Sequence, residues 1–216
     1  SKITSNEAEV SAIGGMIGKV SNETTVSNTE MKRLTIKTAG VANAVGGFVG
    51  QADAAVTISD SDIANSYVRS TYAGEEAVAN LGGVVGYASA SVIATDVNAV
   101  AMNLQVASAV NGMGTIAGYL TGEASAFDKC SVDVANLTAT TKENNNIGGF
   151  VGYVDSAASF ANALVSSMVC ALWLMRIAVE VVAIAVFMVI SSWLFADIFI
   201  TCNFVIFKII ILNFIH

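Results

Sequence analysis

Through the first three quarters of the chain, apolar and polar residues exchange places at every second position in short runs. Leu34-Thr-Ile36, Met102-Asn-Leu104-Gln-Val106 and Val132-Asp-Val134 are examples, and Val, Ile and Thr are frequent around them. This period of two predicts short strands rather than helices. The Ser-, Asn- and Asp-rich clusters between the runs predict turns. Strand is therefore expected over most of Val10 to Val154. From Leu164 onward the alternation stops, and Leu, Ile, Val, Phe and Met follow one another with no glycine.

Superimposed on the alternation is an internal repeat. Ile13-Gly-Gly-Met-Ile-Gly18, Val45-Gly-Gly-Phe-Val-Gly50, Leu81-Gly-Gly-Val-Val-Gly86, Met113-Gly-Thr-Ile-Ala-Gly118 and Ile147-Gly-Gly-Phe-Val-Gly152 share one pattern. Their closing glycines, Gly18, Gly50, Gly86, Gly118 and Gly152, recur at nearly even intervals. A tyrosine follows in three copies (Tyr87, Tyr119 and Tyr153). A second block comes shortly after each closing glycine: Val26-Ser-Asn28, Ile58-Ser-Asp60, Ile93-Ala-Thr95, Phe127-Asp-Lys129 and Phe160-Ala-Asn162.

A period near 34 also occurs in helical arrays. Glycines at the centre of the most apolar string argue against helix, since each costs about 1 kcal/mol there. Glycine is poor in an ordinary strand as well, so its recurrence needs a cause. Stacked coils supply one, because a missing Cβ permits a tight corner or a close approach of neighbouring backbones. The fold expected is all-β: a parallel β-solenoid of about five coils of 32–36 residues, each burying what its neighbour exposes. The structural positions of the repeat are Gly14, Gly15, Gly18, Gly46, Gly47, Gly50, Gly82, Gly83, Gly86, Gly114, Gly118, Gly148, Gly149 and Gly152. In the last copy one strand face is expected to carry Gly148, Phe150, Gly152 and Val154 together.

The Gly-Gly-Phe-Val-Gly-Tyr string with its apolar-x-Asn/Asp block resembles the GLUG-motif repeats of bacterial surface proteins, including large adhesins of the hemagglutinin type. Similarity covers roughly Val10 to Asn162. It implies a β-solenoid-like stalk that displays or forms a binding surface, and it carries over no catalytic residue. Thr115 departs from the second glycine, Lys19 and Gln51 stand where Tyr is typical, and Lys129-Cys130 alone comes near the Asn-Cys of the family's second block.

Composition divides the chain near Asn162. All 18 glycines precede the cut, and residues 1–162 hold 8 Lys/Arg and 15 Asp/Glu, which account for the net charge of −7. The organisation expected is a repeat region over 1–162 and a hydrophobic, helical tail over 163–216. Within the tail, Ile177 to Ala196 is an apolar stretch whose one charge is Glu180. As a helix it would be about 30 Å long, enough to span a bilayer core. A second stretch, Ile198 to Ile215, is broken by Lys208, and no turn residue separates the two. The repeat also stops mid-unit at Asn162, which suggests a frameshift or read-through product as the alternative to an anchor. The polar start and the mid-stride beginning of the repeats suggest a piece of something longer.

Several chemistries are disfavoured. The one histidine, His216, is the final residue, a poor place for a catalytic or metal-binding imidazole. The acidic repeat region lacks the basic patch that nucleic acid requires, so no nucleic-acid partner is expected. Cys130, Cys170 and Cys202 have neither disulfide-framework nor zinc spacing. The Gly-Gly-x-x-Gly strings lack the following Lys-Ser/Thr of a P-loop. Ser59-Asp-Ser-Asp62 and Glu75-Glu76 offer hard oxygen ligands for calcium but read as solvated turns. Asn22-Glu-Thr24 and Asn136-Leu-Thr138 match the glycosylation pattern. The tyrosines are expected to stack as a packing ladder, with a sugar platform as the alternative.

The expected function is thus a non-catalytic cell-surface or secreted repeat protein without cofactor or metal. It would act as an adhesion or display stalk that contacts an unidentified protein or glycan ligand and a membrane through its tail. The alternative is a stalk fragment of a larger secreted hydrolase or protease.

Overall fold

The computed structural model describes residues 1–7, 9–72, 78–107, 110–122, 124–139, 146–166 and 168–170. All the regular structure among them is β-strand, and every strand pairing is parallel. Gly14 pairs with Gly46, Gly46 with Gly82, Gly82 with Gly114, and Gly114 with Gly148. The five glycine strings therefore stand one above another, separated by four turns of a parallel β-solenoid.

Each turn has three faces. The first is made by Glu9–Gly14, Val41–Gly46, Val78–Gly82, Val110–Gly114 and Ile147–Gly148. The second is made by Ile17–Val20, Val49–Ala52, Val85–Ala88, Ala117–Leu120 and Val151–Val154. The third belongs to a twelve-stranded sheet and is subdivided into three strips. In the first described turn the strips are Thr24–Ser27, Glu30–Lys32 and Thr35–Thr38.

The strips are separated by residues in the left-handed backbone region. Asn28, Asp60, Asp96, Lys129 and Asn162 form one such column, with φ between 49° and 54°. Arg33, Asn65 and Ala101 form a second column, each five residues further on. Asn and Asp tolerate this conformation better than other residues with a Cβ, and four of the five residues in the first column are of those types.

The glycine string is a corner, not a single strand. The chain leaves the first face at the opening glycine, bends over the next two residues and enters the second face. Gly148 and Val154 consequently lie in different sheets, contrary to the continuous strand face expected from the alternation. The reason is steric. A Cβ on Gly46 would sit 1.9 Å from the carbonyl oxygen of Val49, where the chain has folded back on itself. At the second position, a Cβ on Gly47 would lie 2.0 Å from the carbonyl oxygen of Gly83, and one on Gly83 would lie 2.1 Å from that of Thr115. No described glycine has positive φ. Of the two causes offered by the sequence, close backbone approach is the one that operates here.

Hydrogen bonding between coils continues around this corner. Phe48 O accepts from both Met16 N and Ile17 N at 3.2 and 2.9 Å, and Val84 O accepts from Phe48 N and Val49 N at 2.9 and 3.0 Å. A bend with side chains at the glycine positions would separate the coils and leave these buried groups unpaired, at about 1–3 kcal/mol each.

The unequal repeat lengths are absorbed between the faces. Thr38 to Ala44 and Val106 to Gly112 each take six residues, whereas the equivalent Ser70 to Asn80 takes ten, which places all four additional residues of the longest repeat. One of the two additional residues in the repeat that closes at Gly152 precedes Phe127, near Ala124 with its φ of 56°. The faces thereby keep their register.

Inside, registered apolar columns fill the coil, such as Ile36, Val68, Leu104 and Leu137, all buried. Val26, Ile58, Ala94, Phe127 and Phe160 form another. Here the expected block Ile93-Ala-Thr95 is off by one. Val92 and Ala94 point inward and Ile93 is 43% exposed, because strand alternation fixed by its paired neighbours overrides side-chain size. Phe127 stacks on Phe160 at 5.3 Å and meets Phe150 edge-on at 5.6 Å.

Pairing also runs past the expected boundary at Asn162. Leu164–Val165 and Met168–Cys170 pair with Ser131–Ala139. A backbone ladder needs only extended chain, so it survives the loss of the glycine pattern. The expected helical tail, including the span Ile177 to Ala196, lies otherwise outside the described residues, as do Glu75 and Glu76.

The third glycine supplies a test with an internal control. A Cβ on Gly86 would meet Gly50 O and Val45 N, both at 2.6 Å, whereas one on Gly18, in the first coil, would meet only Ala12 O at 3.6 Å. Gly86→Ala should destabilise by about 2–3 kcal/mol through overpacking against backbone that cannot yield. Gly18→Ala should be neutral or stabilising by up to about 1 kcal/mol. Urea midpoints of the two full-length variants check this; equal losses would show that stacking does not set the glycine requirement.

Candidate functional site: the outward ladders

Parallel register turns each outward position into a ladder along the stack. On the second face the ladder is Lys19, Gln51, Tyr87, Tyr119 and Tyr153, the following residue in each strand facing the interior. The Tyr87 and Tyr119 rings are tilted at 5.9 Å, and Tyr119 and Tyr153 stack at 4.7 Å. Tyr87 Oη and Thr121 Oγ1 are 3.3 Å apart.

Where Tyr gives way to Lys19 and Gln51, a polar knot replaces the rings. Asp53 pairs with Lys19 at 2.7 Å and accepts hydrogen bonds from Gln51 Nε2 at 2.8 Å and Ser89 Oγ at 3.2 Å. The Lys19 ammonium, followed by the Gln51 amide, holds the Asp53 carboxyl below the usual carboxylate range. Tyr119 and Tyr153 cover one another's facing ring surfaces, the arrangement of a packing pair. Burial raises the Tyr119 phenol above its ordinary value, and the Asp155 charge adds to the effect.

The middle strip of the third face carries Glu30, Asp62, Asn98 and Ser131 in register. Asn98 Nδ2 donates to Asp62 Oδ1 at 2.9 Å, and Ser131 Oγ donates to Asn98 Oδ1 at 2.6 Å. At the left-handed column, Asn162 Nδ2 donates to Asp128 Oδ1 at 2.9 Å. Carboxylates that accept from amides in this way are anchored in the ladder. The Ser59-Asp-Ser-Asp62 segment does not converge on a cation position. Ser61 points inward, donating to Ser59 O and accepting from Thr29 N, while Asp60 occupies the left-handed column. Among the described residues no group of three His, Cys, Asp or Glu side chains could hold a metal ion.

The third strip differs in charge. Its outward residues are Lys2, Thr35, Tyr67, Asn103 and Asn136 in one column, and Thr4, Lys37, Arg69, Gln105 and Thr138 in the other. The sequence alone did not join these ten positions into one surface, because they lie in separate repeats. The signal was present in the spacing of Lys37 and Arg69, which matches that of Gly18 and Gly50 and so equals one repeat. Asn136 and Thr138 of the second sequon point outward on this strip. Thr24 of the first donates its hydroxyl to Asn22 O at 2.8 Å.

The glycine strings hydrogen-bond from coil to coil. Gly15 N donates to Gly46 O, and Gly83 N to Gly114 O, both at 3.2 Å, so these amides are not turned outward to cradle an anion. Cys130 is buried with Sγ 3.4 Å from Asp128 O, and burial pushes its thiol up, which keeps it protonated and unreactive. No family model, curated protein or solved structure matches the chain. The ladders themselves are therefore the basis for assigning a role.

The raised Tyr119 value has a consequence for stability. A group that holds its proton more tightly when folded contributes fully below the unfolded value, here 10.0, and loses that contribution as pH climbs through the folded value. Thermal stability should fall above about pH 10, and Tyr119→Phe should flatten the fall. Equal alkaline slopes for parent and variant would place Tyr119 outside the linkage.

Proposed function

We propose that the chain is a non-catalytic repeat protein of a cell surface, an adhesion or display stalk held to a membrane by its apolar C-terminal stretch. The observation that supports this best is the registration of outward side chains into continuous ladders over a filled apolar interior. Such a scaffold repeats one surface chemistry at every strand spacing of about 4.8 Å and suits contact with an extended partner. A solenoid has the further property that each coil contacts only its neighbours, so the stack tolerates variation of its outer face without loss of fold. The resemblance of the glycine strings to GLUG-motif repeats points the same way. The apolar stretch from Ile177 to Ala196 supplies the tether. Glu180 within it costs about 2–3 kcal/mol if held at the bilayer centre. Arg176, four residues earlier, lies at helical spacing to pair with it nearer the interface.

Cells producing the full chain test the reading. Membranes should retain the chain through high-salt and alkaline washes. Protease added outside intact cells should remove the repeat region while an internal marker survives. Release by alkali, or a repeat region protected from external protease, would contradict surface display.

A further inference from the structure

We infer that the third strip of the widest face docks an acidic polysaccharide, a linear glycan bearing carboxylate or sulfate groups. Within a chain of net charge −7, none of the ten registered outward positions of this strip is Asp or Glu, while Lys2, Lys37 and Arg69 all are present. The ion pairs among the described residues lie elsewhere, at Lys19–Asp53 and Lys32–Glu30, so these three cations have no carboxylate partner among those residues.

Lys37 and Arg69 are direct register neighbours on adjacent parallel strands. Like charges placed opposite each other in a sheet repel and destabilise it. An anionic group between them turns that repulsion into two attractions. The apolar side of the same strands, Ile36, Val68, Leu104 and Leu137, is buried, which fixes the cations on the solvent side.

The surrounding residues select the kind of anion. Thr4, Thr35, Asn103, Asn136 and Thr138 provide hydroxyls and amides that exchange hydrogen bonds with sugar hydroxyls. Tyr67 Oη donates to Gln105 Oε1 at 2.7 Å, bracing the ring diagonally across the neighbouring strand before any ligand arrives. Four strand spacings from Lys2 to Asn136 make the strip about 19 Å wide, a span that suits a chain rather than a single small anion. Single-stranded nucleic acid needs a series of stacking rings, and this strip has Tyr67 alone. Duplex affinity grows with the number of phosphates neutralised, and the strip offers three cations on a chain of net charge −7. An anionic bilayer is engaged by apolar residues beside the cations, whereas the apolar residue registered in these columns, Val169, stands at the far end, beyond Asn136 and away from Lys2, Lys37 and Arg69.

The inference names a ligand class for the surface reading and rests on it for its setting. Binding to purified protein is nonetheless measured independently of display, so the two fail separately. The experiment is fluorescence anisotropy on the full chain in nonionic detergent, with labelled heparin for sulfate, polygalacturonate for carboxylate, neutral dextran and duplex DNA as probes. At least one acidic glycan should bind, with affinity falling as salt rises from about 50 to about 300 mM. Lys37→Gln with Arg69→Gln should weaken it roughly tenfold or more, whereas Lys129→Asn, which removes a charge at the left-handed column, should not. Thr35→Glu places an acid in the same strip and should weaken binding even if the double variant folds poorly, with circular dichroism reporting the fold. Binding to neither acidic glycan, equal binding to dextran, tighter binding to DNA, or affinity unmoved in the folded variants would overturn the inference.

Discussion

Everything in this solenoid depends on how closely backbone can approach backbone at one corner. A chain that turns from one sheet to the next within two residues brings carbonyl oxygens to within about 2 Å of where a Cβ would stand. Only glycine leaves that space to the carbonyl. Its entropic cost, of order 0.5–1 kcal/mol per residue relative to alanine, is offset by uninterrupted hydrogen bonding between coils through the bend. Thr115 is the departure, and its cost is visible: its hydroxyl is buried with no hydrogen-bond partner. The left-handed corners on the third face solve the turning problem differently, with Asn and Asp in a backbone region they tolerate.

Once the corners hold the coils flush, the division between inside and outside follows. Inward positions become apolar ladders in which side chains of different size complement each other from coil to coil, as Val26, Ile58, Ala94 and Phe127 do. Outward positions become polar ladders whose members interact with the equivalent residue of the next coil, as Asp62, Asn98 and Ser131 do. Insertions are confined to connections between faces, so short and long repeats present the same surface. Surface chemistry can thus vary by column while the core stays constant.

Much of this was legible in the sequence because the repeat itself encodes register. Five glycine strings at nearly even spacing, with β-branched alternation between them, led to parallel stacked coils, and the strings do pair glycine to glycine. The corner was not legible, since alternation of Gly148, Phe150, Gly152 and Val154 looks the same in a strand as across a bend. The block Ile93-Ala-Thr95 stands one position early, because the paired neighbours Val56 and Ile58 fix Val92 and Ala94 inward. The recurrence of Asn and Asp at the end of the second block did mark the left-handed column, although as a polar position rather than a conformation. The cationic strip was hidden for a different reason. Lys2, Lys37 and Arg69 come from three successive repeats, and only the register makes them one surface.

The central claim is that each repeat advances the stack by a single strand spacing. Positions 19 and 153 occupy the first and last rungs of one outward ladder, at opposite ends of the repeat region in sequence yet only four pairings apart in space. Spin labels on Lys19→Cys and Tyr153→Cys, with Cys130, Cys170 and Cys202 replaced by alanine, report that separation by pulsed electron paramagnetic resonance. The account predicts a narrow distribution centred at about 20 Å, four spacings of about 4.8 Å. A distribution centred beyond about 35 Å, the separation of layers about 10 Å thick such as packed helices or facing sheets, would contradict it.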